Sequence, residues 1–171
     1  MAAKKFTRIS LDALYADIVA LVALRSTCLR RQVGALLIKD NNIISIGYSG
    51  ACKKVRHCLD LEQCLRDDFN ILSGTKLEFC FSPHAELNAI LNAAKIGVST
   101  KTAILWSTHK PCLSCLKAII NVDISKIVYL YDYGNNVSES KSLYSLLVGQ
   151  SGISLRQYAK EESYAHEVNS S

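Results

Sequence analysis

Two short segments of the chain carry side chains that could bind a metal ion and move protons. Residues 82–86 read SPHAE, and residues 110–115 read KPCLSC. One imidazole and two thiolates, from His84, Cys112 and Cys115, suit Zn²⁺ and leave a fourth coordination position open, as in a catalytic zinc site. Glu86 is not needed as a ligand, so its carboxylate is available as a general base.

The order H-x-E followed by P-C-x-x-C is the established signature of zinc-dependent nucleobase deaminases. With the two prolines and seven cysteines of this chain, P-C-x-x-C would arise in roughly three of a thousand shuffled sequences, so the pair of motifs is specific. The alternative is a structural zinc knuckle, or a redox C-x-x-C with an unrelated helical histidine.

The chemistry that these residues predict is hydrolytic deamination. Glu86 would take a proton from the attacking water and deliver it to the ring nitrogen and then to the departing amino group. A structural carboxylate that caps its own helix is the alternative for Glu86. Both motifs are expected at helix starts, where the helix dipole favours thiolates and a neutral imidazole.

Length and composition favour one globular domain over residues 1–171, with a core at about 10–158 and a polar tail at 159–171. The chain is 49% hydrophobic and carries a formal net charge of +5. It shows neither an apolar run of membrane-spanning length nor a signal peptide, so the seven cysteines are expected to be metal ligands and free thiols in the cytoplasm, or in the host cytoplasm if the protein is viral. No basic stripe interleaved with aromatic residues marks a nucleic-acid groove.

Apolar periodicity and turn residues predict a regular order of elements. Helices are expected from a Ser10 cap to about residue 25, at 84–97 behind a Ser82 cap with Pro83 in the first turn, from Pro111 to about residue 121 in the same way, and at 138–147 before Gly149. Strands are expected at 33–39, 43–48, 102–107, 126–131 and 152–158, with an irregular segment at 51–81. One face of the first helix is expected to carry the apolar residues Leu11, Leu14, Tyr15, Ile18 and Val22. This order predicts an α/β fold: a three-layer α/β/α sandwich with a mixed five-stranded sheet.

Further blocks make the chain similar to the deoxycytidylate (dCMP) deaminases of phages and bacteria, within the cytidine-deaminase-like superfamily. The blocks are RSTC at 25–28, VGA at 33–35, GYSG at 47–50, HC at 57–58, HAELNAI at 84–90 and PCLSC at 111–115. The resemblance implies hydrolysis of dCMP to dUMP and ammonia, which feeds thymidylate synthesis. It also implies activation by dCTP, inhibition by dTTP, Mg²⁺ with the triphosphate, and a homo-hexamer. A tRNA adenosine-type deaminase and a non-catalytic zinc- or nucleotide-binding module are the alternatives.

The resemblance also suggests residues that would contact nucleotides. The candidates for the substrate are Arg25, Ser26, Ser49, Tyr131 and Tyr133. The candidates for effector contacts are Gly47, Tyr48 and Gly50. Arg25 is expected to bind the substrate phosphate, with a helix C-terminal cap as its alternative role. Ser49 stands where the family usually has Asn, so a ribose contact would come from a shorter side chain.

A second metal site is implied by the remaining cysteines. Similar bacterial and phage enzymes bind a structural zinc through the block that contains His57 and Cys58 here. A closed four-ligand site would help to order the charged segment 51–81. The candidate ligands are Cys28, Cys58, Cys64 and Cys80, with His57 as a substitute and Cys52 left over. Buried free thiols are the alternative.

Overall fold

The computed structural model describes residues 8–72, 75–77, 79–132 and 138–159. The helices are α1 (Leu11–Ala23), α2 (Cys58–Leu61), α3 (Leu65–Asp68), α4 (Ala85–Lys95), α5 (Leu113–Asn121) and α6 (Ser138–Ser151). The strands are β1 (Gly34–Lys39), β2 (Asn42–Tyr48), β3 (Ile104–His109), β4 (Lys126–Tyr131) and β5 (Ser154–Gln157). None of these helices has both the length and the apolar character needed to cross a bilayer. The predicted tail lies outside the described residues from residue 160 onward.

The five strands form one mixed sheet in the order β2-β1-β3-β4-β5. β1 is antiparallel to both of its neighbours, and β3, β4 and β5 run parallel to one another. The hairpin between β1 and β2 turns at Asp40 and Asn41, both of which have positive φ, as a two-residue type I′ turn requires. The predicted α/β fold with a mixed five-stranded sheet is confirmed.

Helices cover both faces of this sheet. α1 packs on one face, where Val19 contacts the cluster that contains Trp106 and Val128. α4, α5 and α6 pack on the other face, around Leu37, Leu105 and Ile127. The parallel crossovers β3-α5-β4 and β4-α6-β5 explain why the later helices share a face.

The buried face of α1 matches the predicted one at Tyr15, Ile18 and Val22 but not at its two leucines. Leu11 and Leu14 are 40% and 37% exposed, whereas Ala16 and Val19 are fully buried. A Cβ on Gly34 would lie 2.5 Å from the Val19 carbonyl oxygen, so α1 lies almost against the backbone of β1. Small side chains permit that approach, and the larger leucines are turned away from it.

Three helix ends also differ from the predictions. α4 begins after a His84 cap and α5 after a Cys112 cap, so Ser82 is not the cap and neither proline lies in a first turn. α6 continues through Gly149 to Ser151, and the left-handed residue that follows it is Gly152, with φ +69°. One glycine costs a helix only about 1 kcal/mol, so Gly149 does not end α6.

Candidate active site and metal centre

The predicted zinc ligands lie at the N-termini of two helices that pack side by side on the sheet. His84 is the N-cap of α4, Cys112 is the N-cap of α5, and Cys115 lies in the first turn of α5. Both caps have extended backbone conformations, and neither cap side chain hydrogen-bonds to its own helix. The imidazole and the first thiol are therefore available to a ligand, whereas a Ser or Asp cap would bond to the helix backbone.

The three ligand atoms converge to a spacing that suits a tetrahedral metal ion. His84 Nδ1 lies 3.4 Å from Cys112 Sγ and 3.5 Å from Cys115 Sγ. Zn–N bonds of about 2.0 Å and Zn–S bonds of about 2.3 Å at tetrahedral angles would separate nitrogen and sulfur by about 3.5 Å. Across the described part of the chain, these residues form the one group of three or more ligand atoms within 4.8 Å of one another. The donor set fits zinc.

The two cysteines of this group differ in acidity, because a hydrogen bond joins their side chains. A hydrogen bond from Cys115 lowers the pKa of Cys112 to about 4, and His84 contributes to the same shift. That bond, together with burial and the charge of Glu86, raises the pKa of Cys115. The bond to Cys112 also raises the pKa of His84, whereas the helix start alone had predicted a neutral imidazole. A divalent cation would favour the two thiolates and the neutral ring together.

Glu86 lies beside the ligands as the second residue of α4. Its side chain is 3% exposed, and its Oε2 lies 3.7 Å from Cys115 Sγ. Burial raises the pKa of Glu86 to about 7, although the charge of His84 opposes the shift. A carboxyl group with a pKa near neutrality can both accept and return a proton, so its position and acidity suit a general acid–base.

The comparisons with known proteins agree with this geometry. A family model described as the cytidine and deoxycytidylate deaminase zinc-binding region matches residues 10–131. The chain belongs to this deaminase family. It is 37% identical over 142 residues to ComE operon protein 2 of Bacillus subtilis, covering 83% of this chain and 68% of that protein.

Two further relatives extend the comparison. The chain is 34% identical over 156 residues to the deoxycytidylate deaminase of Schizosaccharomyces pombe, covering 91% of this chain but only 46% of the yeast protein. The chain thus spans about half the length of this curated relative. The crystal structure of the cyanophage S-TIM5 dCMP deaminase in complex with dCMP and dUMP is similar with a TM-score of 0.69, at 23% identity, over 90% of this chain and all of that one. At that identity the likeness shows the fold.

The deaminase site is held in place by contacts between α4 and β2. A Cβ on Gly47 would lie 2.2 Å from the Ala85 carbonyl oxygen, so only a glycine permits this approach. The Asn88 amide donates to the Tyr48 carbonyl oxygen at 2.8 Å, and the Ser45 hydroxyl donates to the Ala89 carbonyl oxygen at 2.7 Å. Sequence reasoning gave Asn88 no role, and its signal was a second asparagine, Asn92, four residues further along the same helix face, which donates to the Ile46 carbonyl oxygen of β2.

Ser26 and Ser49 lie together beneath the loop that joins α1 to β1. Their hydroxyl oxygens are 2.6 Å apart, and both side chains are buried. Each hydroxyl also lies within bonding distance of the Arg31 carbonyl oxygen, at 3.4 Å for Ser26 and 3.2 Å for Ser49. The structure therefore gives both serines a role in shaping this loop, and their contact with substrate stays a prediction.

The other predicted nucleotide contacts lie at several places. Arg25 is exposed, and its backbone N–H donates to the Val22 carbonyl oxygen at the end of α1. Tyr131 ends β4 and is 56% exposed. Tyr133 lies outside the described residues. Tyr48 ends β2, and a Cβ on Gly50 would lie 3.1 Å from its ring, so nucleotide binding by this turn stays a prediction.

The four candidate ligands of a second metal form a group of thiols that influence one another. Burial raises the pKa of Cys58 to about 11, and the charges of Cys64, Cys28 and Cys80 add to the shift. Their sulfur atoms are not among the described groups that converge within 4.8 Å. His57 caps α2, because its Nδ1 accepts from the Asp60 N–H at 3.2 Å. Metal ligation by His57 would compete with that cap.

Two residues near the zinc ligands were given no role from the sequence. The Lys110 ammonium lies 3.0 Å from the Asp132 carboxylate and 5.2 Å from the centre of the Tyr144 ring. The Tyr144 hydroxyl is buried without a hydrogen-bond partner in the described structure. Burial and the charge of Glu86 raise the pKa of Tyr144. α6 brings this tyrosine to the site, and no local pattern in the sequence could have indicated it.

Proposed function

We propose that the protein is a zinc-dependent dCMP deaminase that produces dUMP and ammonia. The observation that carries the proposal is the buried Glu86 carboxyl group. Its Oε2 lies 3.7 Å from Cys115 Sγ, which is one of the three candidate zinc-binding atoms. Glu86 is only 3% exposed, and burying a carboxylate costs free energy unless it is paired. A purely structural zinc site gains nothing that would offset this cost.

The residues of the chain perform the proton transfers of this reaction. When bound, zinc would supply Lewis acidity and lower the pKa of a water molecule. Glu86 accepts a proton from the attacking water, gives it to the ring nitrogen N3, and carries the second proton to the amino group on C4. The C4–N bond then breaks and ammonia leaves, so water and dCMP are converted into dUMP and ammonia. Two thiolate ligands neutralise much of the charge of zinc, which makes a nearby base necessary.

The choice of dCMP is supported by the yeast relative that is named a deoxycytidylate deaminase and by the blocks that surround the catalytic motifs. A nucleic-acid deaminase would need a surface that holds a strand and extracts a base. The decisive experiment measures ammonia release from dCMP, cytidine and a deaminase-substrate tRNA. We expect dCMP to be the preferred substrate, and activity on the tRNA alone would overturn the proposal. No turnover of any of the three by zinc-loaded protein would favour the non-catalytic module.

We further propose a structural zinc held by Cys28, Cys58, Cys64 and Cys80. The mutual effect of these thiols on the pKa of Cys58 supports the proposal, and burial of free thiols is its alternative. Metal analysis of the purified protein tests it, since two zinc ions per chain are expected and one would exclude the second site. Regulation by dCTP and dTTP with Mg²⁺, a homo-hexamer and a cytoplasmic location remain predictions from the resemblance.

A further inference from the structure

We propose that the Tyr144 hydroxyl is an outer-shell hydrogen-bond donor to the Cys112 thiolate, which makes Tyr144 a positioning residue of the catalytic metal centre. The inference rests on the proposed zinc-dependent activity, in which Cys112 is a ligand. It concerns a residue of α6 that was given no role from the sequence and that the proposed proton transfers do not use.

The Tyr144 side chain is buried, yet its hydroxyl makes no hydrogen bond. Tyr144 is 8% exposed, and within the described part of the chain its oxygen has no hydrogen-bond partner. A buried hydroxyl that makes no hydrogen bond costs free energy. A phenylalanine could fill the same space in the apolar cluster around Leu37 and Ile127 without this cost. The hydroxyl therefore indicates an acceptor that becomes available in the working protein.

The packing of α6 brings Tyr144 to the start of α5. α6 packs against α5, and Cys112 is the N-cap of α5. The Lys110 ammonium, two residues before Cys112, lies 5.2 Å from the centre of the Tyr144 ring. Cys112 also packs against the apolar cluster to which Tyr144 belongs. The ring and this zinc ligand therefore share one part of the core.

Four groups near the Tyr144 hydroxyl could accept its hydrogen bond. Burial raises the pKa of Tyr144, and so do the charges of these four groups, which are Glu86, Tyr129, Cys112 and Asp132. The Asp132 carboxylate already pairs with Lys110 at 3.0 Å. Glu86 belongs to α4 and is the proton acceptor of the proposed reaction. A neutral phenol such as Tyr129 is a weaker acceptor than an anion. Cys112 is the acceptor that remains.

Cys112 requires a new donor once it is a metal ligand. In the described structure its Sγ lies 3.4 Å from His84 Nδ1, and the Cys115 thiol donates to it. Both partner atoms are candidate zinc ligands themselves, so neither has a proton to donate when they bind the ion. The Cys112 thiolate then keeps lone pairs for an outer-shell donor. Tyr144 can supply it, because its raised pKa keeps the phenol protonated at neutral pH.

A hydrogen bond to this thiolate would adjust the chemistry of the metal centre. Two thiolates neutralise much of the charge of zinc, and a donor draws part of the negative charge away from one sulfur. Outer-shell partners of this kind orient the ligands and tune the metal. Tyr144 thus favours proton transfer from the attacking water to Glu86 without touching the substrate.

The test removes only the hydroxyl, in Tyr144→Phe. In cobalt-substituted protein we expect the thiolate-to-cobalt charge-transfer band to move to longer wavelength, because a sulfur without its donor gives up an electron more easily. In the zinc protein kcat for dCMP should fall by about 10-fold at unchanged zinc content. Metal-free Tyr144→Phe should unfold at the temperature of the wild type or above it, since the variant no longer buries a hydroxyl without a partner.

Tyr129→Phe is the matched control. Tyr129 is 7% exposed, and the Lys110 ammonium lies 5.8 Å from its ring centre as well. This variant should leave the cobalt spectrum unchanged. The same shift in both variants, or no shift in Tyr144→Phe, would overturn the inference. A fall in kcat that comes with a lower unfolding temperature and no spectral shift would assign Tyr144 to packing alone.

The spectra also separate this inference from the proposed function. If the zinc-loaded wild type does not deaminate dCMP, the proposed function is wrong, and the cobalt spectra of the wild type and Tyr144→Phe still decide whether the hydroxyl donates to Cys112. If the wild type is active and the spectra are identical, the inference alone is wrong. A wild type that binds no cobalt through its thiolates would overturn both.

Discussion

The two thiol-rich regions of this chain are built in opposite ways. Cys112 and Cys115 lie at the start of α5, a helix of nine residues whose Leu116 and Ile119 are fully buried against the sheet. Cys58 is the first residue of α2 and Cys64 is the N-cap of α3, and each of these helices within the segment 51–81 has only four residues. Large side chains in that segment are exposed: Phe69 is 62%, Leu72 75% and Phe79 52% exposed.

This difference indicates what holds each group of candidate ligands in position. The catalytic ligands lie at the starts of α4 and α5, and the packing of these helices on the sheet sets their 3.4–3.5 Å separations. The four-cysteine group lies outside the two apolar clusters that pack on the sheet, and a single helical turn is unstable on its own. We therefore expect the catalytic ligands to be preorganised and the other region to depend on its metal.

The largest expected effect belongs to the catalytic region. Glu86→Gln removes the proton acceptor without changing the size of the side chain, so kcat should fall by at least about 100-fold. Because the three ligands remain in place, zinc content should not change. Ammonia release and metal analysis measure the two effects. A variant that keeps its turnover would remove Glu86 from the mechanism.

The four-cysteine region should respond in stability and metal content. Cys64→Ser should lower the zinc content from two ions per chain to one and lower the unfolding temperature, because the segment 51–81 loses its cross-link. The exposed Cys52 lies outside the candidate ligands, so Cys52→Ser is the matched control and should change neither. Equal metal content in both variants and the wild type would refute the second site.

A pH experiment on metal-free protein isolates the cost of burying Glu86. Its pKa is raised from 4.5 to about 7 in the folded chain, so the protonated form contributes stability that is complete below pH 4.5 and is lost as the pH rises to about 7. Across that window the wild type should lose about 3 kcal/mol of unfolding free energy relative to Glu86→Gln, since one pKa unit corresponds to about 1.4 kcal/mol. Denaturant unfolding at several pH values measures the difference, and parallel curves would show that Glu86 is not desolvated.

The smallest effects test how tightly the catalytic scaffold is packed. Gly47→Ala would place a Cβ 2.2 Å from the Ala85 carbonyl oxygen, so α4 must shift, at a cost of about 1–3 kcal/mol. Gly149→Ala meets nothing within 4 Å and should stabilise α6 by about 0.5–1 kcal/mol. Thermal unfolding and kcat of both variants check the contrast. Equal stability would mean that α4 and β2 are not in close contact.

The order of elements could be predicted from the sequence because it depends on local patterns. β4 was predicted at the bounds that it has, 126–131, because an apolar run between turn residues identifies a buried strand. The Ser10 cap of α1 was also correct, since the Ser10 hydroxyl accepts from the Ala13 N–H at 3.1 Å. The caps of α4 and α5 were placed too early, because Pro83 and Pro111 suit a position before the cap as well as a first turn.

Other features depend on partners that are distant in the chain. Two residues of the predicted α1 face, Leu11 and Leu14, were wrong, because only the close approach to Gly34 selects Ala16 and Val19 for burial. The ring centre of Tyr144 comes within 5.2 Å of the Lys110 ammonium because α6 packs against α5. Such contacts follow from tertiary packing, which overrides local preference.

The sequence by itself determined the donor set of the zinc site, the carboxylate beside it and the alternation of strands and helices, because residue types and short spacings encode these features. Only the tertiary structure decided the rest. It brings His84 within 3.5 Å of both cysteine sulfurs and buries Glu86 so that its pKa rises to about 7. Each of these depends on groups from separate elements that meet only when the chain is folded.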